Sequence, residues 1–506
     1  MRQFPIMPIL TAILGFLLCL SCARTQGPRP YGPATELRYG ITTEPATLDP
    51  LSPSNTADGR SILFNVFEGL VKPDTAGRLL PCLAESVVVD DAADEPGRVY
   101  RFSLRKGVRF HDGSPLTAAD VAFSLNTAQA EGFIGFGAIE KIEIIGDDIR
   151  LILKRPDPDF LPYLTVGIVK NGSSGREKKA IGTGPYCIES YAIQQSMVLA
   201  KFPGYWQKNV PNLDKITIVF FADSDALVLG LHGGSIDGAG LPGSLAQQLA
   251  PERFDIVPGY SAMVQLLALN NAAPPLDDVR IRQAINYSID IKAIIDTAFY
   301  GKGEPSGSPV IPGLAAYYEP SLADPYPLNR EKALSLLSEA GYGEGGRKLS
   351  LEITVPSSYT MHIDTAQVIA DQLAKTGIDA TIQMVDWAAW LSDVYRGRRY
   401  QATVISLDSP YVSPRGFLSR YHSADSGNFI NFTNADFDRI YGMILAEADE
   451  GKRITLYREA QRVISANAAS VYIQDIVGFK AFRSGIYGGV LNYPLYVIDF
   501  ASMYGR

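Results

Sequence analysis

Residues that build metal and nucleophile sites are scarce in this 506-residue chain, which has only four histidines and four cysteines. His111, His232, His362 and His422 are scattered, and none lies within four positions of another. A built metal site declares itself by clustered His, Cys and acid spacing, so no metal cofactor is expected. No G-x-S-x-G is completed; Gly234-Ser-Ile-Asp237 does not carry it through. No G-x-x-x-x-G-K-[ST] occurs, which excludes nucleotide hydrolysis by a P-loop. Gly182-Thr-Gly-Pro-Tyr186 lacks the third glycine of a dinucleotide loop and reads as a tight turn. The chain also lacks a basic surplus. Its formal charge of −8 argues against nucleic acid, because phosphate binding needs concentrated Lys and Arg.

Long apolar runs are absent too, with one exception. Arg2 gives a positive start, an apolar run fills residues 4–20, and Ser21-Cys22 ends it. This is the make-up of a signal peptide, and the run falls short of the roughly 20 residues of a spanning helix. A cysteine at the cut resembles a bacterial lipobox, so residues 1–21 are read as a signal peptide and Cys22 as the lipidated first residue. Residues 22–36, rich in Pro and Gly around Gly27-Pro-Arg-Pro-Tyr-Gly-Pro33, read as a flexible tether. Cys82 and Cys187 remain in a body too long for one core. They form one disulfide or stay as two free thiols; spacing does not decide it.

Strand and helix signals alternate through the body, which points to an α/β fold with mixed sheets. Strands are expected at 37–43, 142–153, 215–221, 264–270, 349–355, 380–385 and 403–407. Thr117-Ala-Ala-Asp120 opens a helix over 121–128, and Asn329 caps one over 330–340 that stops at Gly341. Further helices are expected at 364–375 and 453–467. The acid pairs Asp223/Asp225 and Asp277/Asp278 keep a saccharide hydrolase open as an alternative, though that chemistry needs two carboxyls facing each other across a sugar.

A collinear series of short stretches narrows the reading. Thr47-Leu-Asp-Pro50 is followed by Asn65-Val-Phe-Glu-Gly-Leu-Val71 and Leu83-Ala-Glu-Ser86. Then come Phe102-x-Leu104, Phe110-His-Asp-Gly113, Gly182-Thr-Gly-Pro-Tyr186 and Tyr205-Trp206. Asp278-Val-Arg-Ile-Arg-Gln-Ala-Ile-Asn-Tyr-Ser-Ile-Asp290 and Ala333-Leu-Ser-Leu-Leu-Ser-Glu-Ala-Gly-Tyr342 complete it. The series resembles the bacterial extracellular solute-binding proteins of family 5, the oligopeptide, dipeptide and nickel receptors of ABC importers. His111 within it reads as scaffold.

The resemblance implies a two-lobed periplasmic-binding-protein-like fold in its type II, three-domain form, with a hinge-bounded ligand cleft and no catalytic residues. One lobe would combine 37–66, 183–258 and 483–506, with an inserted domain at 67–182. The other lobe would be 259–482, with hinges near 258 and 482. A monomer delivering a peptide or related small solute to a membrane permease is implied; a signalling lipoprotein on the same fold is the other alternative. Peptide receptors of the family hold the ligand ammonium with an aspartate after a strand, which matches Asp408 in Ile405-Ser-Leu-Asp-Ser-Pro-Tyr411. A cap of the following turn is the competing role for Asp408. Ser409 stands where the family has tyrosine, and Pro356-Ser-Ser-Tyr359 lacks the arginine that dipeptide receptors use for the ligand carboxylate. Ser406, Tyr411, Tyr359, Ser54, Asn55 and Trp390 complete the expected ligand contacts; Trp387 is open between core and cleft.

Overall fold

The computed structural model describes residues 34–55, 57–89, 97–343, 345–409 and 411–506. The expected signal peptide, Cys22 and most of the expected tether lie outside the described residues. The fold is mixed α/β and two-lobed, organised around one eleven-stranded sheet. At its centre run two long antiparallel strands, Phe254–Leu269 and Ser470–Arg483. Both halves of the sheet hang on this pair. On one side Ala402–Asp408 joins Phe254–Leu269, followed outward by Leu349–Pro356 and Ile378–Val385. On the other side Gly238–Leu241 joins Ser470–Arg483, followed by Glu36–Ile41, Lys215–Phe220, Ser196–Lys201 and Tyr186–Ala192.

The central pair is irregular where the halves meet. Its register shifts between Tyr260 and Val264, and Ala262 adopts φ 55°. A bulge of this kind bends a strand and interrupts its ladder. A second register shift follows between Gln265 and Leu266, yet the side chains still alternate between faces. Val264 and Leu266 enter one buried cluster, while Leu267 and Leu269 enter another on the opposite face.

A separate four-stranded antiparallel sheet is ordered Ala84–Val89, Val99–Leu104, Asp148–Leu153, Ile139–Ile145. Helix Ala118–Ala130 covers it with Val121, Leu125 and Ala128. The Asp120 carboxylate accepts from the Thr117 backbone N–H at 2.7 Å, closing the helix start as the sequence suggests. Asn329 caps Arg330–Glu339 through the Lys332 N–H at 2.9 Å.

Four expectations need correction. The single strand expected at 142–153 is a hairpin, Ile139–Ile145 and Asp148–Leu153, turned at Gly146 with φ +64°. The strand expected from 264 begins ten residues earlier, at Phe254. Pro258 and Gly259 conceal that first half, since both are disfavoured inside central strands. The helix expected from 364 starts at Thr360, and the one expected from 453 starts at Glu450, capped by Asp449.

Candidate ligand-binding site

Three of the collinear motifs meet at one buried carboxylate. Glu68 accepts hydrogen bonds from Thr183 Oγ1 at 3.0 Å, Tyr205 OH at 2.8 Å and Trp206 Nε1 at 3.1 Å, with Cys82 Sγ at 3.5 Å. Burial pushes its carboxyl pKa up, and these donors pull it back. The glycines of 182–186 are required by the same junction. A Cβ on Gly182 would stand 1.9 Å from the Val66 carbonyl oxygen. His111 closes it from the third side: its Nδ1 accepts from the Gly182 N–H, so Nε2 carries the proton given to the Gly184 carbonyl. Burial lowers its pKa to about 4, consistent with a neutral structural imidazole. Cys82 and Cys187 are both free thiols, which decides the alternative left open by their spacing.

Glu68 and Cys82 of this junction lie in one wall of a cleft of about 360 Å³, open to solvent, between the two halves of the molecule. The early loop contributes Pro50, Ser52 and Asn55; the segment after it contributes Arg60, Phe64, Phe67, Glu68 and Lys72. The four-stranded domain adds Phe133, Ile134 and Val166, and the C-terminal segment adds Leu495 and Tyr496. Ala262, Met263, Asp408, Ser409 and Tyr411 form the opposing wall. Met263 pairs with Asp408 across the sheet, so the carboxylate emerges beside the bulge of the central strands.

Among the described residues no hydrogen bond or ion pair reaches the Asp408 carboxylate. The turn after it is held by Ser409 instead, whose Oγ donates to the Tyr411 carbonyl at 2.8 Å. Arg420 binds only the Asp408 carbonyl, at 2.8 Å. A turn cap is therefore not what Asp408 does. Asn55 donates to the Asp49 carbonyl at 2.6 Å, while its buried Oδ1 has no partner among the described residues.

The other expected residues are placed as follows. Tyr411 lines the cleft, with its ring edge-on to Tyr163 at 4.7 Å and its hydroxyl donating to the Ile134 carbonyl at 3.3 Å. Ser406 lies two residues below Asp408, paired with Gln265, and its buried Oγ has no partner among the described residues. Ser54 is exposed in its loop and does not line the cleft. Tyr359 is 40% exposed and packs edge-on against Trp387, also outside the cleft lining. Trp390 needs correction: it is 3% exposed, stacks on Trp387 at 5.1 Å and donates from Nε1 to Thr403 Oγ1 at 3.0 Å. It is core. Lys72 and Arg60 were not anticipated. No spacing rule marks a lone cation as facing a cleft.

Two of the four acids that kept a hydrolase open cap helices. Asp223 accepts from the Ala226 N–H and Asp278 from the Arg280 N–H, each capping a helix start. Among the described residues no group of His, Cys, Asp and Glu is arranged to hold a metal ion. Nor is any described helix long and apolar enough to cross a membrane.

Comparison with known proteins agrees with this architecture. Residues 78–429 match the family described as bacterial extracellular solute-binding proteins, family 5 Middle. The chain is 26% identical to a heme-binding protein A of Haemophilus influenzae, over 81% of each chain. It is 26% identical to a glutathione-binding protein GsiB of Salmonella choleraesuis, over 89% of this chain and 90% of that one. Among solved structures, the unliganded open form of the periplasmic murein tripeptide-binding protein MppA superposes with a TM-score of 0.81 at 22% identity, covering 94% of this chain and 98% of that one. The oligopeptide-binding protein AppA of Bacillus subtilis, solved with a nonapeptide, gives 0.72 at 22% identity, covering 94% and 100%. The match over most of its length, on a fold built around two crossing strands and a cleft, shows that this chain belongs to the bacterial extracellular solute-binding proteins of family 5.

Proposed function

We propose that this family 5 protein is the receptor of an ABC importer and captures a peptide-like solute bearing a free amine. The unpartnered Asp408 carboxylate in the cleft wall carries the reading. A carboxylate exposed to a cleft and free of internal donors is a ready partner for an ammonium, and charge-assisted hydrogen bonds are among the strong ones. The buried, unpaired Oδ1 of Asn55 supports it, because such an acceptor favours a ligand N–H. Relatives named for glutathione and murein tripeptide, and a neighbour solved with a nonapeptide, point to the same solute class.

Capture would proceed by lobe closure, with 37–66, 183–258 and 483–506 as one lobe, 67–182 inserted in it and 259–482 as the other. The bulged crossing strands supply hinges, and the closed population rises by the ligand's differential affinity for it. An address at Cys22 would hold this monomer to a membrane by a tether, where the permease reads the closed form. Mass spectrometry of the mature amino terminus checks the anchor; an unmodified terminus other than Cys22 removes it.

Asp408→Asn keeps the shape and removes the charge. Its affinity for free-amine peptides should fall at least about tenfold, while the ligand-free melting temperature stays nearly constant. Unchanged affinity in that variant takes Asp408 out of the site.

A further inference from the structure

The cleft's charges are divided between its walls. Asp408 is on one wall; Lys72 and Arg60 are on the other, together with the buried Glu68. Lys72 occupies the middle of the short strand Val71–Pro73, whose neighbours Val71 and Pro73 are buried. Lys72 lines the cleft together with both of them, and it alone of the three carries a charge. Its Nζ lies 4.3 Å over the Phe64 ring, a cation–π contact that fixes its position. Among the described residues it forms no ion pair within 4.0 Å. Glu68 lies close enough to interact electrostatically, but its oxygens already accept from Thr183, Tyr205, Trp206 and Cys82. The ammonium thus keeps its donors for something else. Arg60 donates one N–H to the Asn55 carbonyl at 2.8 Å and has no carboxylate partner among the described residues.

We propose that Lys72, with Arg60 on the same wall, is the carboxylate subsite of this cleft, so the ligand is a zwitterion lying across it from Asp408. Phe64, Phe67, Phe133, Ile134 and Met263 line the space between the charged groups and select apolar side chains. The subsite replaces the arginine missing from 356–359 and moves the anion site to the opposite lobe. Bound this way, the ligand joins the lobes electrostatically, and each ion pair strengthens as water leaves the closing cleft. A reversed ligand would put like charges together at both ends, which fixes the orientation. This subsite rests on the amine-binding reading of Asp408, and its test separates the two.

The test uses di- to pentapeptides of alanine and leucine, each as free acid, carboxyl-terminal amide and N-acetyl acid. Dissociation constants are measured by calorimetry for the purified protein and for Lys72→Met. The protein should bind the best free acid at least about tenfold more tightly than its amide. Lys72→Met should bring acid and amide to within about twofold of each other, a loss of discrimination that a folding defect would not produce. Equal affinity for acid and amide in the unaltered protein overturns the subsite while leaving Asp408 in place. Discrimination that survives in Lys72→Met does the same. If N-acetyl acids bind as well as free amines, Asp408 falls and the zwitterion across the cleft falls with it. If no peptide binds in any form, the peptide reading falls and the subsite with it.

Discussion

A single buried carboxyl makes a pH-dependent contribution. Asp475 is fully buried in the second crossing strand, with Oδ1 accepting from the Met263 N–H at 3.3 Å and Oδ2 without a partner among the described residues. Burial pushes its pKa up to about 8, and Glu304, opposite it on a short strand, adds to the shift. The folded protein therefore keeps this proton where the unfolded chain has lost it. Its contribution is full below about pH 4 and is lost as pH rises toward about 8, by up to about 1.4 kcal/mol per pH unit. Asp475→Asn should flatten that fall, as read from urea unfolding between about pH 5 and pH 8. An identical slope in both proteins would contradict the assignment. The variant comparison cancels other titrating groups, such as His111. At this scale the sequence was partly legible. Asp408 could be found because a motif marks the place after a strand. Lys72 could not, because only the fold shows that a lone lysine in a three-residue strand faces the cleft. Trp390 misled because its polar indole N–H is met by Thr403 inside the core.

The junction at Glu68 is where separate elements become one wall. Gly182→Ala forces a Cβ into the Val66 carbonyl, a backbone atom that cannot swing aside. It should destabilise the protein by at least about 1–3 kcal/mol, measured by urea unfolding. A loss within experimental error would show that the close approach is not needed. Elements with one unbroken period were readable: Glu36–Ile41, Lys215–Phe220 and Leu349–Pro356 lie within about two residues of expectation. The crossing strands were readable only in part, at 264–270. Phe254–Leu269 carries Pro258 and Gly259, and Ser470–Arg483 carries Gln474, Asp475 and Gly478. Both break the alternation that marks a strand, and they do so near the bulge that would let the lobes turn.

Across the whole molecule, the four-stranded domain touches the far lobe at a small polar cluster. Arg415 Nη1 donates to both oxygens of Asp157, at 2.7 and 2.6 Å. Ser413 Oγ and Tyr457 OH donate to Asp159 at 2.6 and 2.7 Å, and burial pushes that carboxyl's pKa up despite them. If these contacts help set how far the lobes open, Arg415→Met should enlarge the radius of gyration of the ligand-free protein in X-ray scattering. A double-mutant cycle with Asp157→Asn should give a coupling of about 1–3 kcal/mol. An unchanged radius would make the cluster a bystander to closure. The central claim is that the cleft holds a peptide-like zwitterion between lobes, and the most direct measurement is of what the protein already carries. Protein purified from its own host, denatured to release its solute and analysed by mass spectrometry, should yield peptides with a free amine and a free carboxylate, absent from Asp408→Asn prepared in the same way. Recovery of a saccharide or another solute without an amine would contradict the account.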